Sequence, residues 1–166
     1  MILHYKDASL DHLPIIVFIY NTTIASRMVT ADTEPVTVES KQSWFYEHNC
    51  QSRPLWIVLN EHNEVVGWVS FQSFYGRPAY DATAEISIYL AEEHRGKGVG
   101  KQILQYCIQT APALGIKTLL GFIFSHNIHS LTLFEKCGFE KWGNLPDIAN
   151  LDGIERSLMI LGKRIA

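Results

Sequence analysis

The chain has 166 residues, 47% of them hydrophobic and 19% charged, a composition that can build a folded core and argues against intrinsic disorder. Its formal net charge is −3 and no run of basic residues reaches five, which disfavours binding of nucleic acid through a basic surface. The three cysteines form no C-x-x-C pair, and the longest apolar run, Leu13 to Tyr20, is too short to cross a membrane. A chain of this length suits one domain, residues 1–166. Since the N-terminus also lacks a signal-peptide pattern, we expect the protein in a reducing cytoplasm.

The first predicted elements are a short strand and a helix. The strand covers Ile2 to Tyr5. Ser9 can cap a helix that runs to about Ile24, because apolar residues recur along one of its faces at helical spacing. These apolar residues are Leu10, Leu13, Val17 and Tyr20.

A loop, a second helix and a hairpin are expected next. The stretch from Arg27 to Pro35 is polar and irregular, and Val38 to His48 predicts a helix. Two strands follow, Leu55 to Leu59 and Val65 to Phe74, separated by the turn-like residues Glu61 to Asn63. Their spacing favours an antiparallel pair.

A break at Tyr75 to Pro78 precedes the most regular strand of the sequence, Thr83 to Leu90. Apolar and other residues alternate along it, as in a strand with one face towards a core. One face carries Ala84, Ile86, Ile88 and Leu90, and the other carries Glu85, Ser87 and Tyr89.

A glycine-rich segment, Arg95-Gly96-Lys97-Gly98-Val99-Gly100, follows this strand and opens an amphipathic helix expected to reach about Leu114. Glycines let the backbone turn tightly and bring N–H groups close to a ligand, while the helix start and two cations add positive charge. Such a loop suits a pyrophosphate, although an ordinary glycine-rich turn is the alternative. Gln102 stands where a Walker A loop needs Ser or Thr, and the spacing G-x-G-x-G differs from the dinucleotide fingerprint G-x-G-x-x-G.

The last part of the chain predicts a strand, a short helix and two closing strands. The first strand covers Lys117 to Phe124, and Asn127 can cap a helix that runs through Cys137. Gly138 stands where a left-handed residue ends a helix. Phe139 to Trp142 and Ser157 to Leu161 predict the closing strands.

Two motifs resemble the GNAT N-acetyltransferase superfamily. The pattern Arg95-x-x-Gly98-x-Gly100, after a strand and before a helix, looks like its acetyl-CoA signature. The pattern Asn127-x-x-Ser130-x-x-Leu133-Phe134-x-x-x-Gly138-Phe139 resembles its second coenzyme A segment.

Further segments resemble one branch of that superfamily, the phosphinothricin and methionine sulfoximine N-acetyltransferases. They are Tyr20-Asn21, Thr33-Glu34-Pro35, Arg77-Pro78-Ala79-Tyr80-Asp81 and Gly143-Asn144-Leu145-Pro146. Together with the two motifs, they extend the resemblance over essentially the whole chain.

The resemblance implies an α/β (α+β) GNAT fold, with a mixed, mostly antiparallel twisted sheet of about seven strands flanked by about four helices. The sheet would splay at its central strand and hold acetyl-CoA in the opening. The resemblance also implies a homodimer. The residues it assigns to acetyl-CoA are Ile88, Tyr89, Leu90, Arg95, Gly96, Lys97, Gly98, Val99, Gly100, Lys101, Asn127 and Ser130.

The expected reaction is direct transfer of acetyl to the primary amine of a small, amino-acid-like substrate. An ammonium has no lone pair, so a carboxylate must first accept its proton, and Glu85 is the acidic residue within the central strand. The resembled branch assigns this role to the corresponding Glu, whereas a solvated or ion-paired Glu is the structural alternative. A backbone N–H near Tyr89 would bind the oxyanion. Many superfamily members protonate the leaving thiolate with a Tyr where this chain has Phe134, which has no proton to donate.

For the acceptor, Arg77 is the candidate that binds a carboxylate or phosphinate, because a guanidinium matches these anions at two points. Tyr75 and Glu34 are further candidates for the acceptor site, together with Trp68. No metal is expected, since His126 and His129 have no third ligand motif nearby.

Two other functions stay open from the sequence alone. One is a non-catalytic acyl-CoA sensor on the same fold, which Phe134 favours and Glu85 disfavours. The other is an acetyltransferase that acts on peptides or proteins. No membrane or nucleic-acid partner is expected.

Overall fold

The computed structural model describes all residues, Met1–Ala166, and shows one seven-stranded sheet with the order β1-β2-β3-β4-β5-β7-β6. Neighbouring strands pair antiparallel except β4 and β5, which are parallel. The strands are β1 (His4–Asp7), β2 (Leu55–Leu59), β3 (Val65–Ser73), β4 (Thr83–Leu90), β5 (Thr118–Phe124), β6 (Glu140–Leu151) and β7 (Ile154–Arg164).

Four α-helices accompany the sheet: α1 (Leu13–Asn21), α2 (Gln42–Tyr46), α3 (Val99–Thr110) and α4 (Ile128–Lys136). The first predicted helix is divided, since 3-10 turns at Leu10–His12 and Ile24–Ser26 flank α1. The second is shorter than expected, because Glu39–Lys41 forms a 3-10 turn before α2. None of these helices combines the length and the apolar character that crossing a membrane requires.

The sheet parts in its middle. β4 pairs with β3 from Gly67↔Leu90 to Ser73↔Ala84, but it pairs with β5 only from Thr83↔Thr118 to Glu85↔Leu120. Beyond Glu85 the two parallel strands diverge. This opening confirms the splayed GNAT architecture expected from the resemblance.

Two apolar clusters hold the helices against the sheet. The larger includes the fully buried Ile103, Leu104 and Cys107 of α3, and the smaller joins Ile16 and Ile19 of α1 to β2 and β3. Burying each of the isoleucine and leucine side chains among these contributes about 1.5–3 kcal/mol. The prediction for Leu10 was wrong: it is 43% exposed, because its 3-10 turn points it away from the stripe that α1 buries.

The closing strands are much longer than predicted. β6 and β7 form an antiparallel hairpin of 12 and 11 residues, and β6 carries register shifts between Lys141 and Gly143 and between Leu145 and Ala149. These shifts interrupt the alternation by which a strand is recognised. The turn has positive φ at Asp152 (57°) and Gly153 (84°), the geometry of an Asp-Gly hairpin turn.

Candidate active site

A cleft of about 390 Å³ occupies the opening between β4 and β5. The Ala91 N–H donates to the Val66 carbonyl of β3 (2.9 Å). In an antiparallel pair every second residue of a strand bonds to the same neighbour, so Tyr89, two residues before Ala91, also bonds to β3. The N–H groups of Ile88 and Leu90 point the other way, into the cleft, beyond the last residue that β4 pairs with β5. The free amides nearest the splay thus belong to Ile88 and Leu90 and not to Tyr89 itself.

The glycine loop, Arg95 to Gly100, lies at one end of the cleft and presents several backbone N–H groups without a backbone partner. The N–H of Arg95 donates to Glu92 (3.2 Å) and that of Gln102 to Gly98 (3.2 Å), but no amide from Gly96 to Lys101 donates to a backbone carbonyl. Gly96 and Gly98 have φ of 70° and 80°, which side chains other than glycine rarely adopt. Because α3 begins at Val99, its N-terminal dipole adds to these donors, and the arrangement can bind an anion such as a diphosphate.

The charged residues of the loop differ in position. The Arg95 guanidinium donates to the Leu90 carbonyl (3.1 Å) and to Thr22 Oγ1 (2.8 Å), so it ties the end of β4 to α1. Lys101 lines the cleft, whereas Lys97 is exposed and does not. The Val99 side chain is buried in the core, which leaves only its N–H for a ligand.

The far wall of the cleft comes from β5 and α4. The Asn127 side chain accepts a bond from the Ser130 N–H (3.2 Å), which caps α4, and donates to the Met28 carbonyl (3.2 Å). The Phe134 ring also lines the cleft, over Gly121. A Cβ at Gly121 would lie 2.6 Å from Phe134 Cε1, so only glycine accommodates the ring there.

A second cavity, of about 230 Å³, lies over the face of β4 that carries Glu85, Ser87 and Tyr89. Ser87 and Tyr89 line both the cavity and the cleft, so the two spaces meet at these residues. Glu85 and Ser70 also line the second cavity, and the Ser70 hydroxyl, 1% exposed, has no hydrogen-bond partner. A buried hydroxyl is stabilised by a hydrogen-bond partner, so Ser70 can bond to water or to a polar ligand group in this cavity.

Glu85 is the carboxylate of this cavity. It is half-buried, on a strand that is hydrogen-bonded on both sides at this position, and it takes part in neither of the two ion pairs of the molecule. Burial raises the pKa of Glu85 above its usual range, because the charged form loses hydration. A carboxylate with a raised pKa is a better proton acceptor at neutral pH than an ordinary surface Glu.

Aromatic rings form the walls of the second cavity. Tyr89 stacks on Trp68 with 4.6 Å between ring centroids, and Trp68 donates its indole N–H to the Ile16 carbonyl (3.1 Å). Tyr20 lies 5.2 Å from Tyr89 and donates its hydroxyl to Asp32. Burial is the main cause that raises the pKa of both tyrosines, so their hydroxyls stay protonated at neutral pH.

The acetyltransferase (GNAT) family model matches residues 19–139. The chain belongs to the GNAT acetyltransferase family. Among relatives of this acetyltransferase, the Bacillus subtilis protein YwnH, provisionally named a phosphinothricin acetyltransferase, is 55% identical over 93% of this chain and 94% of YwnH. The Pseudomonas aeruginosa (strain PAO1) L-methionine sulfoximine/L-methionine sulfone acetyltransferase is 31% identical over 89% of this chain and 86% of its own length.

A solved structure agrees with this assignment. The crystal structure of the GNAT superfamily phosphinothricin acetyltransferase from Sinorhizobium meliloti, in complex with acetyl-CoA, superposes with a TM-score of 0.90 at 26% identity. The superposition covers 99% of this chain and 89% of that one. This GNAT protein is therefore an acetyltransferase of the phosphinothricin acetyltransferase-like type.

The structure brings together most of the residues that the sequence assigned to acetyl-CoA. Ten of the twelve line the cleft, and Lys97 and the Val99 side chain do not. The ten are Ile88, Tyr89, Leu90, Arg95, Gly96, Gly98, Gly100, Lys101, Asn127 and Ser130. Their contact with the co-substrate stays a prediction.

The residues predicted for the acceptor are dispersed. Glu34, Tyr75 and Arg77 are exposed and line neither the cleft nor the second cavity, and Tyr75 is 78% exposed. Trp68 does line the second cavity. The sequence interpretation missed Lys41, which lines this cavity from the 3-10 turn before α2. Its place after an exposed stretch of polar residues gave no sign that it faces a cavity.

No group of three or more His, Cys, Asp or Glu side chains is arranged to hold a metal ion. His126 instead contacts the Arg27 carbonyl through Nε2 (2.8 Å), while His129 is exposed at the rim of the cleft.

Proposed function

We propose that this enzyme transfers the acetyl group of acetyl-CoA to the primary amine of a free amino acid of the phosphinothricin or methionine sulfoximine type. One observation carries the proposal: an unpaired carboxylate, Glu85, lines a small cavity that meets the splayed cleft at Ser87 and Tyr89. A donor held in the cleft and an acceptor held in the cavity would therefore meet at β4.

In the proposed reaction, Glu85 accepts a proton from the acceptor ammonium, directly or through water. The freed amine then attacks the thioester carbonyl, the new C–N bond forms, and the C–S bond breaks. The unpaired N–H groups of Ile88 and Leu90 are the backbone donors available for the oxyanion. Acetyl-CoA is the co-substrate, with its diphosphate on the amides of Gly96 to Lys101.

The thiolate leaves without a protein acid in this scheme. Phe134 stands at the position where related enzymes place a proton donor, and its ring lines the cleft. An unperturbed thiol has a pKa of about 8.5, so the thiolate is a tolerable leaving group and takes its proton from water.

The test is release of coenzyme A thiol over a panel of amino acids, including phosphinothricin and methionine sulfoximine. Glu85→Gln should lower kcat by roughly 10²–10⁴-fold, the usual contribution of a positioned base. The matched control is Glu155→Gln, since Glu155 is exposed on β7 and lines neither the cleft nor the second cavity; it should leave kcat unchanged.

Other outcomes separate the alternatives. If Glu85→Gln keeps more than half of the wild-type rate, Glu85 is not the base. Binding of acetyl-CoA without thiol release for any amine would identify a sensor. Faster acetylation of peptides than of free amino acids would identify a peptide or protein acetyltransferase.

We also propose a single domain that pairs with a second copy of the chain in the cytoplasm. One sheet from His4 to Arg164 supports the single domain, and the exposed Ile148 and Ile154 of the β6–β7 hairpin support pairing. The cysteines are all free, as is usual in a reducing compartment. Sedimentation equilibrium tests the pairing: a dimer has twice the 18.9 kDa mass of the chain, and a constant monomer mass would contradict it.

A further inference from the structure

The second cavity has one positive side chain, Lys41. Of the residues that line the cavity, only Lys41 and Glu85 carry a charge. The Lys41 ammonium lies 5.3 Å from the centroid of the Tyr20 ring and 5.9 Å from that of Trp44. These separations are in the range of cation–π contacts, so the rings hold the ammonium at the cavity wall.

Lys41 has no carboxylate partner in the chain. The two ion pairs of the molecule are Arg27–Asp152 and Lys141–Glu135. A cation without a counter-ion in a partly buried, ring-lined space attracts an anionic ligand group, because screening by water is weaker there than on the surface. The unpartnered hydroxyl of Ser70 lines the same cavity and can donate a further hydrogen bond to such a group.

We propose that Lys41 binds the α-carboxylate of the acceptor and so makes the enzyme select free amino acids over their amides, esters and peptides. The proposal rests on the proposed function. A free amino acid carries an ammonium and a carboxylate, and the cavity presents a carboxylate, Glu85, and an ammonium, Lys41. The two charges of the cavity are therefore opposite in sign to the two charges of the acceptor.

The substrates after which the relatives are named favour the α-carboxylate, and not a side-chain anion, as the group that Lys41 binds. Phosphinothricin has an anionic side chain, but methionine sulfone has a neutral one, and the relative from Pseudomonas aeruginosa is named for methionine sulfoximine and sulfone. The anion common to these acceptors is the α-carboxylate. Arg77, the cation first predicted for this role, is exposed and lines neither the cavity nor the cleft.

The test compares methionine sulfone with its primary carboxamide, which has the same side chain and amine but no anion. Loss of a charge-assisted hydrogen bond by Lys41→Gln should raise KM for the acid by roughly 10–100-fold. KM for the carboxamide should change by less than about threefold, since a neutral amide oxygen is attracted to the ammonium much more weakly than a carboxylate is. Lys41→Arg should keep most of the preference for the acid, and Lys6→Gln, at an exposed site on β1, should change neither KM.

A binding measurement separates this proposal from the proposed function. Titration calorimetry of methionine sulfone, with coenzyme A present, should show weaker binding to Lys41→Gln than to the wild type and unchanged binding to Lys6→Gln. Lost binding in Lys41→Gln, together with absent turnover in the wild type, would refute the function and keep the role of Lys41.

Several results would overturn the role of Lys41. One is an equal loss for acid and carboxamide in Lys41→Gln; another is a selective loss for the acid in Arg77→Gln with none in Lys41→Gln. If Lys41→Gln melts well below the wild type, Lys41→Met repeats the comparison, because its unbranched side chain retains the packing on Tyr20 and Trp44. Unchanged discrimination in a folded Lys41→Met variant would equally refute the proposal.

Discussion

Gly121→Ala tests the contact by which β5 and α4 shape the cleft. The added Cβ would lie 2.6 Å from Phe134 Cε1 and 3.0 Å from Cδ1. Carbon atoms pack at about 3.5 Å or more, so the ring must move by roughly 0.9 Å, and the cleft that it lines is the open direction. Overpacking of this kind costs about 1–3 kcal/mol, which corresponds to a fall in Tm of about 2–12 °C for a chain of this length.

Urea unfolding of Gly121→Ala, Phe134→Leu and the double variant measures this contact. Because leucine lacks the ring atom that meets the new methyl group, the double variant should be more stable than additivity predicts by about 1 kcal/mol or more. KM for acetyl-CoA should rise in Gly121→Ala, since the displaced ring narrows the cleft. The matched control is Gly143→Ala, whose Cβ would be 3.5 Å from Ile160 Cδ1, an ordinary contact that should leave stability unchanged or slightly higher.

Two results would refute this account of Gly121. One is an unchanged free energy of unfolding in Gly121→Ala. The other is additivity with Phe134→Leu within about 0.5 kcal/mol, which would mean that the ring and the methyl group do not meet.

Three further changes have defined outcomes. Burial raises the pKa of Glu85, so the folded protein holds this proton more tightly than the unfolded chain, and ionisation lowers stability as the pH rises above the unfolded value. Glu85→Gln should therefore melt higher than the wild type at about pH 8, with the difference closing towards about pH 4; equal melting temperatures at both pH values would contradict this. In Gly98→Ala the added Cβ would meet no atom within 4 Å, but residue 98 has φ of 80°. The substitution should therefore lower the free energy of unfolding by about 1 kcal/mol through backbone strain alone, and calorimetry should show weaker binding of coenzyme A. Asn127→Ala removes the cap of α4 and should lower the free energy of unfolding by about 1 kcal/mol in urea, whereas Asn127→Asp should retain most of it; equal losses would show that the bond to the Met28 carbonyl matters more than the cap.

The central part of the fold could be predicted from local patterns. Strand Thr83–Leu90 was placed without error, because strict alternation distinguishes a strand from a helix. The loop before α3 and the cap at Asn127 were found because glycine and asparagine have conformational roles that neighbouring residues do not change. These signals depend on a few consecutive residues, so the sequence contains them in full.

The features that local patterns did not predict depend on distant contacts. β6 and β7 are long because they pair with each other, and the local sign of that pairing is the turn dipeptide Asp152-Gly153. Lys41 lines the second cavity, and its position there depends on Trp44 and Phe45, which pack against the smaller apolar cluster that contains Ile16 and Ile19. No short sequence pattern indicates this packing. Arg77 is predicted from its chemistry alone; it is exposed and lines neither the cleft nor the second cavity, and its contact with the acceptor stays a prediction.

The second cavity is lined by residues from two kinds of chain segment. Trp68, Glu85 and Tyr89 come from β3 and β4 in the middle of the sheet, whereas Tyr20, Lys41 and Trp44 come from α1, the 3-10 turn before α2 and α2 itself. Tyr20, Lys41 and Trp44 line this cavity but not the cleft, whereas Glu85 lies on β4. Under the proposed function, substitutions at these three positions would change which amine is accepted and leave the acetyl-transfer residues in place.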